Sequence, residues 1–171
     1  MNKIILFLKK IIIIYITIIS FPLIALKNDI QQQLNIFSNK QFIDFKKNIT
    51  MFSNNVVIKQ GTINIKADKV IITHQKNNNN KITIEAFGAP ITFHQLQDNG
   101  NIIKGNSKQA RYEVDKKLII LKGNAHLEQL DNNISSDIIT YIISKQKIEA
   151  FSNKGNHVTT ILYPKQLKNN F

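Results

Sequence analysis

Cysteine is absent, acidic residues number 11 against 23 lysines and arginines, and the one long apolar run lies at the amino terminus. Each scarcity excludes something. Without cysteine the chain cannot be a small disulfide-stapled scaffold or carry a thiolate metal site. The carboxylates are scattered, so no pair of them is set up for acid–base catalysis. Four histidines, His74, His94, His126 and His157, fall at no familiar ligand spacing, so neither a metal nor a cofactor is expected. There is no Gly-x-Ser-x-Gly elbow, phosphate loop or dinucleotide fingerprint. A catalyst would lack every recognisable mark of one.

The apolar run from Ile11 to Ile19 follows Lys9-Lys10 and ends in Ser20-Phe21-Pro22-Leu23-Ile24-Ala25. An uninterrupted core of about 10 residues falls short of the roughly 20 that a bilayer span needs. It reads as a secretory signal peptide cleaved after Ala25, against the alternative of an uncleaved anchor. Cleavage would leave 146 residues (171 − 25), room for one domain over 26–171 with an ordered part from about 30 to 165. An exported chain of this size without disulfides suits the bacterial periplasm. The formal charge of +12 would fall to +9 with the loss of Lys3, Lys9 and Lys10. A basic surface suits an anionic partner, although isoleucine, asparagine and lysine are abundant throughout, and export argues against nucleic acid.

Most informative is that the chain says nearly the same thing twice. Asn55-Val56-Val57-Ile58-Lys59-Gln60 returns 69 residues later as Asn124-Ala125-His126-Leu127-Glu128-Gln129, and Ile65 and Asp68 return as Ile134 and Asp137. Ile84-Glu85-Ala86-Phe87 reappears verbatim as Ile148-Glu149-Ala150-Phe151. The offsets differ because the first copy carries the longer loop, Lys76 to Asn80, and length changes confined to loops indicate one unit used twice.

Alternation at period two, as in Thr62-Ile63-Asn64-Ile65-Lys66 and Ile82-Thr83-Ile84-Glu85-Ala86, predicts strands with one face in a core. Turn-forming clusters at 46–48, 53–55, 98–101, 122–124, 131–133 and 153–156 predict hairpins in an antiparallel meander of a dozen or more strands. Corners are expected at Ser38-Asn39, Ala67-Asp68, Gly105-Asn106 and Ser136-Asp137, with the Asp and Asn side chains bonding the backbone amides two residues on. Four corners imply an all-β sheet folded on itself, a sandwich or jelly roll. Ile58, Ile63, Ile65, Ile72, Ile84, Phe93, Leu127 and Ile148 are its expected inner face, while the parity of Val70-Ile71-Ile72 and Ile138-Ile139 stays open. Such a sheet can hold an acyl chain between its layers or add strands at its edges.

Asn55 to Asp68, Gly88-Ala89-Pro90-Ile91-Thr92-Phe93, Gln95-Leu96-Gln97-Asp98-Asn99-Gly100, Gly123-Asn124-Ala125 and Ala150 to Thr160 carry a resemblance to the OstA-type family of periplasmic lipopolysaccharide-transport proteins, over about residues 30 to 167. The resemblance implies a β-jelly roll with an apolar groove that carries lipopolysaccharide and joins others head to tail. It implies groove positions at Ile30, Leu34, Ile36, His74, Lys81, Phe93, Tyr112 and Val114; His74 stands where close relatives have arginine. As residues alone, Ile36, Phe93 and Tyr112 read equally as ordinary core. The assembly edges implied lie near 32–38 (Gln32, Leu34, Ile36, Ser38) and 157–163 (Val158, Thr160, Leu162). The first would receive the carboxyl-terminal edge of LptC or another copy, and the last would meet the amino-terminal domain of LptD. A self-assembling scaffold or glycan-binding β-repeat protein that holds no lipid is the alternative.

Overall fold

A computed structural model describes residues 29–75 and 81–163; the expected leader with its cleavage after Ala25, the loop 76–80 and the tail from 164 lie outside the described residues. Ten strands make one antiparallel sheet: β1 (Leu34–Phe37), β2 (Lys40–Asp44), β3 (Ile49–Gln60), β4 (Ile63–Gln75), β5 (Lys81–Leu96), β6 (Ile102–Glu113), β7 (Leu118–Gln129), β8 (Asn132–Ile142), β9 (Lys147–Phe151) and β10 (Thr159–Ile161). The order is β1-β3-β4-β5-β6-β7-β8-β10, with β2 also on β3 and β9 also on β8. A 3₁₀ turn, Asp29–Gln31, precedes β1, and another, Ile143–Lys145, links β8 to β9.

The sheet is creased. Register shifts fall between Ser53 and Val56, Lys66 and Lys69, Phe87 and Ile91, Asn106 and Gln109, and Lys122 and Ala125, so they line up from strand to strand. Asn54, Asn55, Gly123 and Asn124 take positive φ there (66°, 56°, 78° and 50°), which asparagine and glycine tolerate best. Extra residues on one strand bend it and swing the two halves face to face. Serine hydroxyls fasten the crease: Ser38 Oγ donates to the Lys40 carbonyl (3.1 Å), Ser107 Oγ to that of Gln109 (2.7 Å) and Ser136 Oγ to that of Ile138 (2.8 Å).

Four expectations need correction. Ten strands are present among the described residues rather than a dozen or more, because most run 11 to 16 residues straight through the crease. The clusters at 53–55 and 122–124 are mid-strand bulges, not hairpin turns; positive φ serves both. In β6 the bend lies past Asn106, since Gly105 and Asn106 still pair on both sides. Asp68 and Asp137 do occupy matched bends, but neither caps the amide two residues on: Asp137 reaches instead to the distant Asn153 backbone N–H (2.8 Å) and the Asn156 side chain. Those two hydrogen bonds, Asn156's first, hold its carboxyl below the usual range. Asp68 is exposed and makes no side-chain hydrogen bond among the described residues.

The core lies between the two halves. Ile58, Ile63, Ile65, Ile84, Phe93 and Leu127 are buried, and Ile72 and Ile148 pack against them, as the alternation predicts. Val70 and Ile139, both fully buried, settle the ambiguous parity. Gly105 marks a close approach: a Cβ there would stand 3.1 Å from Leu121 Cδ1 on the facing layer.

Candidate functional site

Two apolar rows cross the sheet at right angles to the strands and face one another. One runs Ile36, Ile58, Ile65, Phe93, Gly105, Leu127 and Ile134, each opposite the next, from the β1 edge to β8. The other runs Ile72, Ile84, Tyr112, Ile119, Tyr141 and Ile148. The Phe93 and Tyr141 rings meet between them at 6.0 Å, tilted by 56°. The apolar interior that a channel would occupy therefore runs from Ile36 on β1 to Ile148 on β9 and is filled by its own side chains.

One lip of this channel is polar. The Tyr112 hydroxyl donates to Gln60 Oε1 (3.1 Å), and Gln97 Nε2 donates to the Tyr141 hydroxyl (3.4 Å), so a tyrosine from one layer meets a glutamine of the other twice. Gln129 donates to Gln97 in turn. Asp29, itself buried, accepts from the Thr62 backbone N–H (2.6 Å), the Thr62 hydroxyl (2.7 Å) and Gln95 Nε2 (2.8 Å). Gln60 Nε2 reaches the Gln32 carbonyl (3.2 Å). Burial, reinforced by the charge of Asp29, pushes the Tyr112 hydroxyl up to about 12. Burial likewise raises Tyr141, against the opposing hydrogen bond from Gln97.

The expected groove residues fall into two groups. Ile30, Leu34 and Ile36 pack on the core at the β1 edge, with Phe93 (2% exposed) and Tyr112 (4% exposed) deep inside. His74, Lys81 and Val114 stand at the opposite lip: His74 faces Ile82 across the β4–β5 pair, and the Val114 N–H donates to the Ile82 carbonyl. Val114 also packs on the buried cluster that holds Phe93 and Tyr112 and so joins the first group, while His74 and Lys81 stay at the lip. The glutamines, Asp29 and Tyr141 were not anticipated. Parity could have found the glutamines: Gln60, Gln95 and Gln129 each stand two residues beyond an inward apolar side chain, Ile58, Phe93 and Leu127.

The expected edge residues lie at the two ends. Leu34 and Ile36 are in β1, and Gln32 and Ser38 flank it; Thr160 is in β10 between Val158 and Leu162, all three exposed. On the outer surface a separate concavity of about 540 Å³ is lined by Lys66, His94, Lys104, His126 and Glu128 among others. His126 Nδ1 pairs there with Ser135 Oγ at 2.9 Å. No group of three or more His, Cys, Asp or Glu among the described residues could hold a metal ion. No described helix is long and apolar enough to cross a membrane.

Residues 35–147 match the family described as LptA/(LptD N-terminal domain) LPS transport protein. The chain is 45% identical over 153 residues to the lipopolysaccharide export system protein LptA of Escherichia coli (strain K12), covering 88% of this chain and 83% of that one. With the protein of the same name from Haemophilus influenzae the identity is 44% over 145 residues, 84% of each. In fold it is similar to the crystal structure of LptH, described as the LptA-homologous periplasmic component of the lipopolysaccharide transport device of Pseudomonas aeruginosa. The TM-score is 0.72 at 18% identity, over 81% of this chain and 100% of that one.

Proposed function

The chain belongs to the LptA/(LptD N-terminal domain) family of lipopolysaccharide transport proteins, and from that premise we propose that it is a periplasmic bridge that carries lipopolysaccharide between the two membranes in its apolar channel. The observation that carries this reading is the pair of facing apolar rows, one starting at the β1 edge and the other ending at the β9 edge. Each buried methylene is worth about 0.8 kcal/mol, so several long acyl chains need continuous shielding to cross an aqueous gap. Acyl chains would lie between the rows and part the layers, while the sugars stay in water. Ile30, Leu34, Ile36, Phe93, Tyr112 and Val114 would touch the lipid, and Lys81 and His74 at the lip would face its anionic groups.

One domain spans only part of such a gap, so the reading includes head-to-tail assembly through the β1/β2 and β9/β10 edges. LptC would meet the first edge and the amino-terminal domain of LptD the last. Export by a leader cleaved after Ala25, leaving 26–171 as one domain, belongs to the same proposal, and nothing in it calls for catalysis or a cofactor.

The test is a photo-crosslinking amino acid placed in living cells at Phe93 or Ile36, with the exposed Lys145 and Lys122 as controls. Lipopolysaccharide should be captured at the first two positions. Equal capture at all four, or none at Phe93 and Ile36, would leave the scaffold reading instead.

A further inference from the structure

The 69-residue echo extends to the edge strands. In the β6–β7 pair Ile103 faces Gln129 and Ala110 faces Leu121; subtracting 69 gives Leu34 facing Gln60 and Gln41 facing Phe52, the pairs that β1 and β2 make with β3. Even the fastening repeats, since Ser38 to Lys40 and Ser107 to Gln109 are the same hydroxyl-to-carbonyl bond 69 residues apart. The first edge thus holds the sheet position of β6. At the other edge, Ser135 and Asn133 face Thr159 and Ile161, as Lys66 and Asn64, 69 residues earlier, face Thr92 and His94. Tyr141 faces Ile148 as Ile72 faces Ile84. Together β9 and β10 hold the position of β5.

The sheet therefore starts at the place of β6 and stops at the place of β5, two positions that pair with each other inside the chain. Resting on the head-to-tail reading, we propose that the seam between two copies repeats the β5–β6 seam residue for residue. Transposing Thr92–Asn106, Phe93–Gly105 and His94–Lys104 puts Thr159, Thr160 and Ile161 of one copy opposite Phe37, Ile36 and Asn35 of the next. Transposing Ile84–Tyr112 puts Ile148 opposite Ile43 of the next copy.

Chemistry supports this register. It sets Thr160 against Ile36 and Ile148 against Ile43 on the inward face, so one row meets an aliphatic partner across the seam and only the Thr160 side chain stands between Ile134 and Ile36 in the other. A slip of one residue would turn every one of them outward. The two edges and the turns beside them also hold all the large apolar side chains exposed among the described residues except Ile102 and Leu130. Phe37, Phe42, Phe45 and Phe151 are each more than half exposed, and a seam covers edge side chains of this kind.

A chain without cysteine allows a direct test. Thr159→Cys with Phe37→Cys, and Ile161→Cys with Asn35→Cys, place thiols directly opposite in the proposed register; swapping partners makes two crossed controls from the same four exposed positions. Opposite Cβ atoms lie about 4.5–5.5 Å apart and diagonal ones about 7–8 Å, against the roughly 3.5–4.5 Å of a disulfide, so matched pairs should yield at least ~10-fold more reducible multimer. A stronger ladder from the crossed pairs overturns the register. So does the absence of any ladder while the unmodified protein still associates with concentration in sedimentation. No association of the unmodified protein at any concentration overturns the head-to-tail premise itself.

Discussion

The Tyr112 hydroxyl donates to Gln60 Oε1 at 3.1 Å and so ties one layer of the folded sheet to the other across its apolar interior. Removing it in Tyr112→Phe leaves a buried amide oxygen without that partner, which costs about 1–3 kcal/mol. The pH dependence carries a second signature. The hydroxyl is raised from 10.0 to about 12 in the folded chain, so the folded state keeps a proton that the unfolded chain gives up in that window. Stability present below pH 10 is therefore lost as pH climbs toward 12, and Tyr112→Phe should flatten that alkaline limb. Urea unfolding of both proteins across this range checks it; parallel curves would show that Tyr112 is not the titrating group.

Asp29 closes the same lip, and Gly61 makes room for it. Gly61 has φ +59°, and an added Cβ would run into the Asp29 carboxylate. Gly61→Ala should destabilise the fold by at least about 1 kcal/mol through the backbone alone, since L side chains rarely take that φ. It should also speed proteolytic cutting near Gln32, because the displaced Asp29 would lose Thr62 and Gln95. Asp29→Ala should speed cutting without the backbone penalty. Unchanged digestion in both variants would contradict a fastened amino-terminal turn.

The duplication, the strand alternation and most of the inner face were legible in the sequence because period two survives along each half-strand. What was not legible is the continuity of strands through the crease, where bulge asparagines look like turn asparagines. The crease also resets parity. In β4 the inward residues are Ile63, Ile65 and Ala67 before it and Val70 after it, odd numbers giving way to even. In β3 the two extra residues, Asn54 and Asn55, leave parity intact from Phe52 to Val56. No alternation rule can anticipate which of these a strand does. The polar lip was hidden for another reason: a glutamine at a strand end reads as solvent-facing until the opposite layer supplies its tyrosine.

Glu113 sits between two cations, 3.2 Å from Arg111 Nε and 2.7 Å from Lys116 Nζ. The hydrogen bond from Lys116 is the main cause that lowers its carboxyl below the ordinary value, with burial opposing and the charges of Lys116, Arg111 and Lys81 assisting. A lowered folded-state value stabilises the protein above the unfolded carboxylate range, and that stability is lost as pH falls through the folded value. Glu113→Gln should cost about 0.5–1 kcal/mol near neutrality, a small figure because both cations are partly solvated. The two melting curves should converge in acid. A difference that persists below that range would assign the effect to packing rather than charge.

The carboxyl-terminal edge can be tested by proline, which has no backbone N–H to donate. Successive residues of an antiparallel strand direct their N–H groups alternately toward the two neighbours. In extended backbone, Val158 just before β10 and Ile161 within it are three positions apart and therefore point opposite ways. One proline would weaken the hold of β10 on β8, where Thr160 faces Ile134, and the other would remove a donor offered to the next copy. Each loss is worth about 1 kcal/mol, or roughly fivefold in an association constant. Both Val158→Pro and Ile161→Pro should shift the concentration dependence of sedimentation to weaker association. Only the variant that faces β8 should also accelerate amide exchange along Ile134 and Ser135. Unchanged sedimentation in both variants would mean that β10 is not an assembly edge.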